Sequence, residues 1–149
     1  MQVLEKSLFA NIPKRCLAVR TAMTARMISK YYDHALRDTG LTNTQFSLLI
    51  ATGAGEFPSM AALGDLLCID RSTLSRNFKP LFEAGYVERE LGQKGRAIPL
   101  RLTSLGLTKL REAIPKWEAA QDELEHKFSS DELSSGKGFL RALRNAAND

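Results

Sequence analysis

Residues 70 to 77 read Asp70-Arg71-Ser72-Thr73-Leu74-Ser75-Arg76-Asn77. Six of these side chains, Arg71, Ser72, Thr73, Ser75, Arg76 and Asn77, are hydrogen-bonding types of the kind that meet base edges and phosphate oxygens. Leu74 and Phe78, four positions apart, suit the opposite, apolar face of a single helix. Further on, Lys94 and Arg96 flank Gly95. A small basic loop of that kind can approach a phosphate backbone closely, and its arginine suits a narrow, electronegative minor groove. Taken singly, each segment also has a plainer reading, an amphipathic surface helix and a solvated basic turn. Other chemistry finds little support. The chain has two histidines, His34 and His126, no nucleophile motif and no phosphate-cradling glycine loop, and its carboxylates are scattered among basic partners. No enzyme activity and no cofactor or metal are expected.

The elements that must position these residues follow from periodicity and capping. Apolar residues recur at Cys16, Val19, Met23, Met27 and Tyr31, the spacing of a helix that buries one stripe, closed by Gly40. Thr42 and Gln45 form a capping box for a second helix over about 44–51, which Gly53 and Gly55 should break. Ser59 can cap a short third helix through Met60, Leu63, Leu66 and Leu67. Asp70 is placed to cap a fourth over 71–84, ended by Gly85, with Pro80 predicting a bend within it. The segments 86–91 and 97–102 then flank Gly92-Gln93-Lys94-Gly95 as a hairpin. From Thr103 a long helix carries Leu110, Ile114, Trp117, Leu124 and Phe128, with Gln121 as its polar interruption and Pro115 as an expected kink. Ser129 and Glu132 form a second capping box, opening a last helix in which Leu133, Leu140 and Leu143 could face a partner.

The fold class is therefore mainly α with a small β-hairpin. Three small helices followed at once by a hairpin is the layout of a winged helix-turn-helix, whose last small helix fits the roughly 12 Å major groove of duplex DNA. The charge distribution agrees. The chain of 149 residues carries +4 overall, with +4 over residues 1–40, −2 over 41–69, +3 over 70–102 and −1 over 103–149. The third block contains the candidate DNA-reading elements. Its 44% hydrophobic residues can build a core without staples. Cys16 and Cys68 lie far apart with no ligand spacing, so neither a disulfide framework nor a zinc site is suggested. No membrane span or signal segment is read. A soluble, cytoplasmic protein is expected.

Four segments, in this order and spacing, resemble the MarR family of transcriptional regulators: Gly40-Leu41-Thr42 with Gln45-Phe46; Asp70 through Arg76; Leu81 with Gly85-Tyr86-Val87; and Leu102-Thr103 with Gly106. The resemblance covers roughly residues 13–125. It implies a homodimer whose terminal helices intertwine, a recognition helix at 71–84 and a wing centred on 92–97. Double-stranded DNA with a pseudo-palindromic operator is the implied partner. In those terms residues 1–149 form a single domain, with a winged helix-turn-helix core over about 42–103 and dimerisation helices over about 12–39 and 104–147. Ser72, Thr73, Ser75 and Arg76 match recognition-helix positions, and Arg96 matches the wing arginine. The function implied is sequence-specific transcriptional regulation, as a repressor released from its operator by a small-molecule or oxidant signal.

The sequence departs from the family at two places. Lys94 stands where an acidic residue often steadies the wing arginine, which predicts a looser, more basic wing. Peroxide-sensing members carry a reactive N-terminal cysteine with tyrosine partners, and Cys16 with Tyr32 invites comparison. Against this, Cys16 falls about two residues early when Gln45 is aligned, and Asn43 replaces one tyrosine. Cys16 is thus read as a possible redox sensor, with a packed thiol as the favoured alternative. Cys68, between Leu67 and Ile69, has stronger core character still. The resemblance also implies a small aromatic effector bound between the dimerisation helices and the wing. Met23, Met27, Tyr31 and His34 are candidates to line that cleft, although core packing of the methionines and solvent exposure of His34 are favoured. A protein-interaction module that keeps the fold without reading DNA is the rival function. It would have no use for Arg71, Arg76 and Arg96 on one side.

Overall fold

Helix starts in this protein are set by short polar side chains that take up main-chain N–H groups left without intrahelical partners. The computed structural model describes residues 9–10, 12–55, 57, 59–90 and 99–148. Its elements are α1 (Leu17–Leu36), a 3-10 turn (Arg37–Thr39), α2 (Asn43–Ala54), α3 (Met60–Leu67), α4 (Arg71–Glu83), β1 (Val87–Arg89), β2 (Leu100–Leu102), α5 (Ser104–Glu125) and α6 (Ser130–Ala146). Both predicted capping boxes are present. The Gln45 N–H donates to Thr42 Oγ1 at 3.2 Å while the Thr42 N–H donates to Gln45 Oε1 at 3.0 Å, and Ser129 and Glu132 do the same for α6. Ser59 caps α3 through the Ala62 N–H at 3.1 Å, and Thr103 caps α5 through the Gly106 N–H at 3.0 Å. Such caps stabilise a helix by about 1 kcal/mol each.

Several bounds differ from the sequence-based expectation for physical reasons. α2 runs past Gly53 and stops at Gly55, whose φ of 71° is the left-handed end. Gly53 lies inside the helix with Leu102 packed over it, 3.2 Å from where a Cβ would lie. In line with the expected spans, α4 and α5 continue through Pro80 and Pro115. Each proline removes one donor without ending its helix. The hairpin ladder pairs Val87 with Leu102, Glu88 with Arg101 and Arg89 with Leu100, and is prolonged by the Glu90 N–H donating to the Pro99 carbonyl at 2.9 Å. The rest of both predicted arms and the tip, Gly92 to Gly95, lies outside the described residues.

One core joins the helix-turn-helix to the long helices. Leu36, Leu48, Leu49, Leu74, Phe78 and Ala113 are all within 2% of complete burial. Burying a Leu or Phe side chain contributes about 1.5–3 kcal/mol, so Leu74 and Phe78 fix which face of α4 turns inward. At the junction of α1, α2 and α5, Trp117 stacks on Tyr32 and on Phe46, with ring centroids 6.3 and 6.0 Å apart. The polar interruption at Gln121 has a purpose here. It accepts the Tyr32 hydroxyl and donates to Glu125 at 2.7 Å, and Glu125 in turn meets Lys137 of α6 at 3.1 Å. Burial, then the neighbouring Tyr31 and Glu125 charges, raise the Tyr32 phenol above its ordinary value. It therefore acts as a hydroxyl donor.

Two expectations about burial are corrected. The α1 stripe is not part of this chain's own core. Val19, Met23 and Met27 are 39%, 55% and 71% exposed, because the N-terminal half of α1 extends past the core and only Tyr32 and Leu36 are buried along the helix. Core packing of the two methionines is thereby excluded within one chain. Cys68 is also exposed. It ends α3 in the left-handed conformation, φ 53°, and the reversal turns its side chain away from the interior that Leu63 occupies. On α6 no residue is buried.

Candidate nucleic-acid interface

The recognition-helix candidate begins at Asp70, whose Oδ1 accepts the Thr73 N–H at 2.9 Å. Hydrogen bonds from the Thr73 side chain and main chain hold the Asp70 carboxyl below its ordinary value. The cap therefore stays ionised at neutral pH, where a negative charge also suits the positive end of a helix. With Leu74, Phe78 and Leu81 buried, the 3.6-residue period turns Arg71, Ser72, Ser75 and Arg76 outward together, and all four are exposed. Lys79, not singled out in the sequence, extends this face by one turn and pairs at 3.9 Å with Glu83, both side chains well exposed. Thr73 is half-buried at the edge of the face. Asn77 is not free to reach outward as expected, since its side-chain amide donates to the Thr73 carbonyl at 2.9 Å.

Beside α4 stands the base of the hairpin. Val87 is buried, so by the two-residue period of a strand Arg89 lies on the same, α4-facing side. Its guanidinium sits 5.5 Å from the centroid of the Phe82 ring, and Phe82 contacts Phe78 at 5.8 Å between centroids. An open groove of about 560 Å³ runs between the helix and this strand, lined by Ser72, Ser75, Arg76, Lys79 and Arg89. Arg89 went unnoticed in the sequence, although alternation from Val87 would have placed it here. On the other face of the ladder, Glu88 and Arg101 form a cross-strand ion pair. Lys94 and Arg96 lie outside the described residues.

The hairpin is locked to α5 through Thr103. Its N–H donates to the Tyr86 carbonyl at 3.0 Å, its hydroxyl donates to the Gly85 carbonyl at 2.6 Å, and its Oγ1 caps α5. Gly106 is required at this crossing, since a Cβ there would lie 2.1 Å from the Tyr86 carbonyl oxygen. Of the candidate effector residues, Tyr31 donates its hydroxyl to the Ala120 carbonyl at 2.9 Å, His34 is exposed, and Met23 and Met27 face outward. Cys16 is half-buried at the start of α1. Tyr32 lies 16 residues along the same helix, roughly 24 Å at the α-helical rise, and its hydroxyl is engaged by Gln121. Within one chain these two residues do not meet. Among the described residues no group of three His, Cys, Asp or Glu is placed to hold a metal ion, and no helix is long and apolar enough to cross a membrane.

No family model matches the chain, and no curated protein sequence does. Solved structures do. A structure of the M. tuberculosis transcriptional regulator MosR in complex with DNA is 30% identical, with a TM-score of 0.74, and covers 89% of this chain and 98% of its own. A second MosR structure is 28% identical, with a TM-score of 0.76, covering 90% and 98%. A mutant MarR from E. coli complexed with operator DNA shares the fold at 19% identity, with a TM-score of 0.77 over 89% of this chain and 96% of its own. Helices and hairpin thus follow one another as in these regulators over nearly the full length of both chains, and the chain belongs to the MarR family of transcriptional regulators.

Proposed function

We propose that the protein is a dimeric, sequence-specific DNA-binding regulator that represses transcription and leaves its operator on a small-molecule or oxidant signal. The observation that carries this reading is the division of α4 into a face buried by Leu74, Phe78 and Leu81 and a face presenting Arg71, Ser72, Ser75, Arg76 and Lys79. A helix anchored in this way is held rigidly while its outward side chains reach into the major groove. Thr73 and Asn77 support it from the edge, and of the wing residues Lys94 is assigned to the phosphate backbone and Arg96 to the adjoining minor groove.

Dimerisation is assigned to helices about 12–39 and 104–147, around the core at about 42–103. Its support is the exposed apolar surface of α1 and α6, where Met23, Met27, Phe139 and Leu140 are each more than half exposed. Surface of that kind is a liability in a monomer and is covered when two copies pair. The partner is then double-stranded DNA with two inverted half-sites about one helical turn apart. A ligand between the dimerisation helices and the wing would shift the population between dimers whose recognition helices match that spacing and dimers whose helices do not. The reading assigns the chain no catalytic step, and it places the protein in the cytoplasm with its DNA.

Selection of genome fragments by the purified protein near physiological salt, followed by footprinting, tests this. Enrichment of an inverted repeat with that spacing is expected. Weak binding that is equally salt-sensitive on every sequence would remove the sequence-specific reading.

A further inference from the structure

Lys109 lies on α5, away from the residues assigned to DNA, and its side chain is only 18% exposed. A lysine so far out of water keeps its charge only where partners replace hydration, and here there are three, on three parts of the fold. Its Nζ donates to the main-chain carbonyl of Thr39 at 3.1 Å and to Glu112 Oε2 at 2.7 Å, and lies 5.9 Å from the centroid of the Tyr86 ring. Glu112, one turn along the same helix, is half exposed and would pair with a lysine of any orientation. The other two contacts carry the argument. Thr39 is buried in the turn that separates α1 from α2, where Thr39 Oγ1 also bonds the Leu36 carbonyl at 2.6 Å. Tyr86 is the residue from which the hairpin rises. The hydrogen bond to Glu112 comes first among the influences that hold the ammonium above its ordinary value, against the opposing effect of burial. The cation is therefore present throughout the neutral range.

We propose that Lys109 is a positioning residue that couples the α1–α2 corner to the root of the wing, and so sets the angle at which the wing meets DNA. This rests on the DNA-binding reading above. The hairpin root and the corner also share the apolar core, through Val87, Leu100 and Leu102 on one side and Leu36 and Leu41 on the other, and Lys109 adds a polar link between them, whereas Lys116 and Asp38, 3.7 Å apart and both well exposed, tie the corner to α5 alone. An exposed pair of that kind contributes little. A partly desolvated ammonium with a main-chain acceptor and an aromatic face contributes more.

The test is a double-mutant cycle on the full-length protein, using a duplex that carries the selected inverted repeat at one fixed salt concentration. Lys109→Met keeps the length and apolar packing of the stem and removes the charge. Arg96→Ala removes the wing arginine. Lys109→Met is expected to weaken binding about tenfold, with helical content by circular dichroism unchanged. In the Arg96→Ala background it should add nothing, because the contact it positions is already gone. Multiplying penalties, or an unchanged affinity for Lys109→Met, would overturn the proposal while leaving the DNA reading intact. An Arg96→Ala variant that binds like wild type would overturn both the wing contact and the proposal. Should Lys109→Met not fold, Tyr86→Leu removes the ring from beneath the cation, and the same cycle with Arg96→Ala decides in the same way.

Discussion

Gly106→Ala isolates the tightest contact in the fold. The added methyl would lie 2.1 Å from the Tyr86 carbonyl oxygen and 2.7 Å from Leu102 Cδ1. Carbon and oxygen tolerate about 3.3 Å at closest, so the Tyr86 main chain must retreat by roughly 1 Å. That carbonyl accepts from the Thr103 N–H at 3.0 Å, a bond that does not survive such a shift, whereas the Thr103 hydroxyl proton is engaged by the Gly85 carbonyl at 2.6 Å. One hydrogen bond at about 1 kcal/mol and about 1–3 kcal/mol of overpacking together cost about 2–4 kcal/mol. Helix propensity returns less than about 1 kcal/mol of this. Gly53→Ala is the control. Its methyl meets the same residue, Leu102, but at 3.2 Å and at the end of a side chain that can turn. Its strain should be offset by the gain from replacing a mid-helix glycine, leaving a net change within about 1 kcal/mol. Urea unfolding at one protein concentration, followed by fluorescence of Trp117, measures both. A Gly106→Ala midpoint equal to that of wild type, or to that of Gly53→Ala, would refute the reasoning about backbone against side-chain contact.

Three further outcomes are expected. Arg76→Ala should weaken operator binding by about 1–3 kcal/mol and relax sequence choice at one base position if the arginine reaches a base; selection repeated with the variant reads this, and an unaltered consensus at full affinity would remove Arg76 from the interface. Asp70, with its carboxyl held below the ordinary value of 3.8, adds stability that is complete above that value and is lost as pH falls through the lower folded value, where the unfolded chain takes up its proton first. The acid side of the stability profile should accordingly be shallower in Asp70→Ala than in wild type, and parallel profiles below pH 4 would contradict it. If the releasing signal is an oxidant acting at Cys16, Cys16→Ser should abolish peroxide-induced release of DNA in a mobility-shift assay; release at the wild-type peroxide dose eliminates that thiol and leaves the small molecule.

What could be read from the sequence was local. Thr42 with Gln45, Ser129 with Glu132, and the lone caps Ser59 and Asp70 act over three residues, so their spacing alone fixes the helix starts. The two faces of α4 were equally legible, because Leu74 and Phe78 lie one turn apart. Side-chain commitments across space were not. Asn77 has the chemistry of a base contact, yet its amide is held by the Thr73 carbonyl, and nothing in the sequence separates those outcomes. The run Leu67-Cys68-Ile69 reads as core because hydropathy ignores the left-handed backbone that turns Cys68 outward. Periodicity along α1 identified an apolar face correctly but could not say that Val19, Met23 and Met27 lie beyond the reach of their own core. Lys109 looked like any helix-surface lysine until Thr39 and Tyr86, distant in sequence, were brought to it.

The emptiness of α6 has a consequence of its own. No residue of this 17-residue helix is fully buried in its own chain, and only Leu133 and Leu143 are half-buried, whereas most helical stability in proteins comes from packing an apolar face. In the proposed dimer its packing partner is the second chain, so the cell's supply of the protein becomes a thermodynamic variable. On that proposal, as copy number falls the operator would lose occupancy through mass action, and the unpaired chains would in addition lose the packing that favours the helix. A dimer built in this way would respond to its own abundance more steeply than a preformed one.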